Sequence, residues 1–176
     1  MTTNEITVPV KLDAKTFKRF SRFDMLRLRK RWVRPVVFAL ILMAFAAVAL
    51  LTGKEQAGMI AAVLLVVGLG LPLVYFGTFL SQVNMQAENQ GLDQPRRVYT
   101  VRLSWEGVDV TNDRKQGEHV ALKWSQLPAA YRVKGCVYLY ASPARAYLLP
   151  DGQANVDDDA LWAYLEKHMP GKTRRL

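Results

Sequence analysis

The side chains capable of nucleophilic or metal chemistry are few, and their spacing does not assemble them. There are two histidines, His119 and His168, and one cysteine, Cys136. A histidine-based metal site would have to recruit carboxylates or Cys136, and the chain holds no Cys-x-x-Cys, His-Glu-x-x-His or calcium-loop spacing. Ser104, Ser125 and Ser142 stand outside any nucleophile-elbow pattern. His119, beside Glu118 in a polar stretch, reads as a solvated histidine rather than a general base. Asp157, Asp158 and Asp159 precede an apolar-periodic segment, where helix capping and the helix dipole account for three acids without a cation. Gly68, Gly70 and Gly77 lie inside an apolar run, so they cannot form a phosphate loop. No catalytic, metal-binding or cofactor-binding residue is expected, and the chain reads as a non-enzymatic protein.

Two other sets of residues point to contact chemistry. Arg27, Arg29, Lys30, Arg31 and Arg34, with Trp32 among them, directly precede a long apolar run. Clustered bases attract anionic headgroups at about 1 kcal/mol each near the surface, and an interfacial tryptophan anchors the chain at headgroup level. Further along, Tyr131, Tyr138 and Tyr140 are expected as exposed aromatic anchors for a protein or peptide partner.

The basic residues owe their setting to the segments that follow them. Pro35 to Thr52 carries no charge, and neither does Ala57 to Leu80. At 1.5 Å per residue each approaches the roughly 30 Å hydrocarbon thickness of a bilayer. Pro35 suits a first helical turn, and Pro72 is expected to kink the second helix without ending it. Only Gly53, Lys54, Glu55 and Gln56 separate the runs, so residues 35–80 are expected to form a transmembrane hairpin. A cleaved signal peptide fits poorly, given the long segment before the first run and the second run after it. Neither run contains an Asp, Glu, Lys, Arg or His, which disfavours a pump or channel.

Charge distribution sets the orientation. Up to Arg34 there are ten bases and three acids; Lys54 and Glu55 cancel in the turn; from Ser81 onward there are 13 bases and 11 acids. Of the net charge of +9, +7 therefore sits before the first apolar run and only +2 from Ser81 onward, without the strong excess of a nucleic-acid-binding module. By the positive-inside rule both termini are expected on the cytoplasmic side. One cysteine excludes an internal disulfide and agrees with a reducing compartment. Between Ala14 and Trp32, Phe17, Phe20, Met25, Leu28 and Trp32 share an arc of a helical wheel, although Phe23, Asp24 and Leu26 break the pattern. Residues 1–34 thus read as an N-terminal strand and a basic juxtamembrane segment, an interfacial helix; the alternative is that its bases only enforce topology.

Residues 81–96 read as a linker or an extension of the second helix, and residues 97–176 as a small domain. Short alternating segments cover Arg97 to Trp105, Val108 to Thr111, Glu118 to Trp124, Ala130 to Val133, Val137 to Ala141 and Ala144 to Leu149. Tyr99, Val101, Leu103 and Trp105 alternate with polar residues and should share one buried face, with Glu106-Gly107 as a two-residue turn. Short turns predict an antiparallel meander. A helix follows over Asp157 to His168, with Leu161, Trp162 and Leu165 packing on the sheet. The fold class is α+β: a transmembrane hairpin, then a small antiparallel barrel or sheet closed by a helix, in the outline of a pleckstrin-homology-like domain.

The order of Ile6-Thr7-Val8, Phe17-Lys18-Arg19-Phe20, the hairpin, Val101 to Val108 (VRLSWEGV), Leu122 to Leu127 (LKWSQL), Tyr138-Leu-Tyr140 and Ala146 to Pro150 (AYLLP) resembles the YcxB-like family of bacterial membrane proteins over nearly the whole chain. That resemblance implies a bacterial inner-membrane location and a pleckstrin-homology-like C-terminal domain. It implies no activity and carries over no functional residue. Phosphoinositide binding is not expected, since the first turn offers only Arg102 and, further off, Arg114 and Lys115. The expected function is presentation of a cytoplasmic domain to a protein or peptide partner, at an edge strand or beside the final helix. The alternatives are an anionic-lipid or membrane-surface sensor acting through the basic segment, and a membrane-associated enzyme whose site spacing does not reveal. No nucleic-acid partner and no cofactor are expected, and the sequence leaves the oligomeric state open.

Overall fold

The computed structural model describes residues 5–113 and 118–176. The chain forms two compact units: residues up to Phe17 with Gly91–Leu176, and Lys18–Gln90 between them.

In the first unit, strand β1 (Ile6–Leu12) alternates Ile6, Val8, Val10 and Leu12 inward with Thr7, Pro9 and Lys11 outward, the period-two pattern of a half-buried strand. It pairs antiparallel with β2 (Arg96–Leu103), Val8 opposite Val101 and Leu12 opposite Arg96. The strand before the apolar helices therefore belongs to the same fold as residues 97–176. The hairpin interrupts this fold rather than preceding it, because the apolar face of β2 needs β1 beside it. β3 (Gly107–Asn112) and β4 (His119–Lys123) complete the four-stranded antiparallel sheet β1-β2-β3-β4. Arg114 and Lys115 lie outside the described residues.

The second sheet has the order β7-β6-β5-β8. β5 (Ala129–Val133), β6 (Cys136–Ser142) and β7 (Arg145–Pro150) form the expected antiparallel meander. β8 (Thr173–Arg175), which the sequence reading did not foresee, pairs parallel with β5. Between β7 and β8 lies helix α4 (Asp158–His168). The Asp157 carboxylate accepts the Asp159 N–H at its start, and Leu161, Trp162 and Leu165 are buried. Tyr99 ties the sheets together: its hydroxyl accepts the Leu148 N–H at 2.7 Å and donates to the Leu148 carbonyl at 3.1 Å. Burial pushes its phenol pKa up.

One correction concerns the β2–β3 turn. Ser104 N–H donates to the Gly107 carbonyl, so Trp105 and Glu106 form the turn and Gly107 opens the next strand. Gly107 is required there, since a Cβ would lie 2.1 Å from the Leu122 carbonyl oxygen. Trp105, expected on the buried face, is 71% exposed because the strand ends at Leu103.

In the second unit, α1 (Ala14–Phe23, its first residues belonging to the other unit) leads into a π-helical stretch, Asp24–Leu28. Lys30 then takes φ +46°, so no single helix reaches Trp32. Asp13 caps α1 by accepting the Thr16 N–H at 2.8 Å, and its hydrogen bonding to Thr16 holds its carboxyl below the usual range. α2 (Val33–Leu51) and α3 (Ala57–Asn89) are the two long apolar helices. Nineteen residues give α2 a length of about 28 Å. α3 runs without interruption through Pro72 and on to Asn89, so residues 81–89 extend the helix, which Gly91 closes with φ +60°.

Candidate functional site

The basic cluster sits in the hairpin unit, running from Arg27 in the π-helical stretch through Arg29, Lys30 and Arg31 on the turn to Arg34 in the first turn of α2. Arg27, Lys30, Arg31 and Arg34 are exposed. Arg29 is committed to Asp24, Nε to carboxylate at 2.8 Å. The Trp32 indole N–H donates to the Leu26 carbonyl at 3.1 Å, fixing the ring beside these bases. Four charged side chains facing solvent on a backbone fixed by these two contacts can attract an anionic surface.

The tyrosines expected as surface anchors are not assembled into a surface. Tyr138 is fully buried and Tyr140 is 2% exposed, because β6 is an interior strand of its sheet, flanked by β7 and β5, and its residues 136–140 are all buried. Tyr131 is half-buried, and its ring meets Tyr140 edge-on at 5.6 Å. Neither Tyr138 nor Tyr140 can serve as an exposed anchor. The slot beside the final helix is also taken. β8 fills the free edge of β5, with Ala130 N–H donating to Lys172 O and Leu176 N–H to Arg132 O, and Arg175 lies over the Trp162 ring of α4 at 5.7 Å.

Sheet edges decide what remains. The outer edge of β1 is sealed by the loop after β7. Asn155 Oδ1 accepts Thr7 N–H, Asn155 N–H donates to Thr7 O, and the Asn155 side-chain amide donates to Glu5 O. Gln153 accepts from Lys11 N–H and donates to Lys11 O. Pro9, between them, has no N–H to satisfy. These two amide side chains copy a strand's hydrogen bonding, a device that period-two patterning gives no means of detecting.

The other edge of this sheet, β4, is covered among the described residues only at Lys123, whose N–H donates to Gln126 Oε1. Beside it the β2–β3 turn leaves an open depression of about 560 Å³ lined by Trp105, Gly107, Val108, Leu122 and Lys123 among others. Exposed Trp105 stands over it, and Trp124 is held beneath the turn by its indole N–H on the Ser104 carbonyl at 3.0 Å.

The histidines are placed structurally. His119 Nε2 lies 3.5 Å from Asp109 at the exposed face of the first sheet. The His168 ring packs against both Trp124 and Tyr164, with centroids at 4.9 and 4.2 Å, and those two rings also meet each other at 6.0 Å. Asp151 has its pKa raised by burial and by the neighbouring Asp158 charge, while Arg132 pairs with Asp159 at 2.5 Å. This acidic corner also ties the β7–α4 loop, since Asp158 accepts the Gly152 N–H. Among the described residues no group of His, Cys, Asp and Glu is arranged to hold a metal ion.

The chain matches no protein-family model, no curated protein and no solved structure.

Proposed function

We propose that this chain is a non-enzymatic inner-membrane protein of the YcxB-like kind, in which a transmembrane hairpin holds a pleckstrin-homology-like domain at the cytoplasmic face for binding a protein or peptide partner. The observation that carries the reading is the pairing of β1 with β2 across the inserted helices. A fold built from segments on both sides of the insertion requires those segments to lie on one side of any membrane, and two crossings satisfy that where one would not. The helices suit the role, since both are long and apolar enough to cross and little of either is buried. Leu51 is 86% exposed and Leu73 72%, and so many large apolar side chains in water would be an aggregation hazard. A four-stranded sheet, an antiparallel three-stranded meander and a closing helix support the pleckstrin-homology-like outline.

Photo-crosslinking residues placed at exposed domain positions, such as Trp105, Ala121 and Arg174, test the reading in intact cells. Specific adducts from at least one position support it, and none from any position, with the chain folded in the membrane, would contradict it. A second reading, a sensor of anionic membrane surfaces, is favoured by the exposure of Arg27, Lys30, Arg31 and Arg34 beside α2. Neutralising these four should abolish the preference of a Lys18–Arg34 peptide for vesicles containing phosphatidylglycerol over phosphatidylcholine.

A further inference from the structure

The first sheet ends at β4, whose outward backbone groups are matched only in part among the described residues. Asn112 N–H donates to Glu118 O, and Ser104 N–H to Gly107 O. Antiparallel alternation then makes Val110–Val120 and Val108–Leu122 the bonded pairs of the β3–β4 ladder. His119, Ala121 and Lys123 therefore turn their N–H and C=O groups outward. Gln126 Oε1 takes the Lys123 N–H at 2.8 Å, and no described residue takes the groups of Ala121. Such an edge is a template for another strand.

The side chains on the two faces say what that strand would carry. On the inner face the rows Val101–Val110–Val120 and Leu103–Val108–Leu122 are buried at their first two members, and only half-buried at β4. Apolar residues at alternate positions of an added strand would complete both rows. On the outer face stand His119, Ala121 and Lys123. His119 faces Asp109, whereas Lys123 lies opposite Gly107, which has no side chain, and makes no ion pair among the described residues. A second copy of the chain is a poorer fit, because antiparallel pairing of two β4 strands about Ala121 would set His119, and no acid, opposite Lys123.

We infer that the β4 edge receives an extended peptide segment of a partner, with apolar residues at alternate positions and an acidic residue beside Lys123. The segment adds a strand through the Ala121 N–H and C=O while Trp105 closes over its end. This rests on the partner-binding reading above and names its site.

The test uses the full chain in lipid nanodiscs and three labelled octapeptides with valine at alternate positions and glutamate, glutamine or lysine between them. The glutamate peptide should bind about ten-fold more tightly than the lysine peptide, and Lys123→Glu should reverse that order. Exchange of the Ala121 amide should slow about ten-fold on binding. Ala121→Pro, which removes the donor, should weaken binding about ten-fold. Should that variant misfold, amide exchange in the unaltered chain decides alone. Binding without protection of Ala121 overturns the β4 edge, and so does the absence of any peptide binding. Adducts at other domain positions in cells would in that case leave the partner-binding reading standing. Protection of Ala121 before any peptide is added would assign the edge to a second copy and overturn the peptide.

Discussion

In the strand-rich unit Val8, Val101 and Leu103 are withdrawn from solvent completely, while in the hairpin unit Val66 and Leu73 stand more than 70% exposed. The same residue types occupy both settings, so hydrophobicity alone does not say where a side chain goes. What differs is the period. β1 and β2 alternate and so present one apolar face to a partner sheet. α2 from Pro35 and α3 as far as Leu80 are apolar on every side, which leaves no polar face to meet water over those stretches. The contrast teaches that one unit is completed by its own chain, while the other leaves its apolar surface uncovered, which on the proposed reading the bilayer covers.

The sharpest way to break that comparison is to remove β1. Deleting residues 5–12 should abolish the protease resistance of Gly91–Leu176, because β2 would lose one of its two partners and the unit four buried apolar side chains; a resistant core of unchanged size would show that the unit does not need the strand. Trp162→Ala should destabilise the same unit by about 3–5 kcal/mol in pulse proteolysis while leaving membrane retention intact. Val66→Lys sharpens the other half. At the centre of a lipid-facing helix it should cost about 2.5–3.5 kcal/mol of insertion, read as loss of membrane integration. A surface helix in water would take the same change without effect. The smallest effect belongs to Asn155→Ala, which uncovers the β1 edge and should lower stability by about 1–2 kcal/mol, with faster amide exchange at Thr7.

The sequence made most of these elements readable for separable reasons. Uncharged runs of spanning length gave α2 and α3, and alternation gave β2 to β7 to within a few residues. The Asp157 cap and the acids after it gave α4. What escaped was information that local pattern does not carry. Thr173–Arg175 is too short and too basic to look like a strand, and it becomes one because β5 offers an edge. Trp105 fits the alternation of β2 but falls after a strand that Ser104 ends by bonding to Gly107. Tyr138 and Tyr140 resemble surface anchors in sequence, yet β6 is flanked on both sides, and pairing order is a tertiary property. The basic cluster was legible as charge, while the capture of Arg29 by Asp24 needed the π-helical turn to bring them together. The β4 edge could be seen only by knowing which strands lack a second neighbour.

Accessibility of single cysteines, introduced in a Cys136→Ser background at Lys54, Glu5 and Leu176 and probed with a membrane-impermeant thiol reagent on intact cells, tests the central claim most directly. The account predicts labelling at position 54 before permeabilisation and at positions 5 and 176 only after it. Labelling at 5 or 176 on intact cells, with 54 protected, would place the strand-rich unit outside and contradict the account.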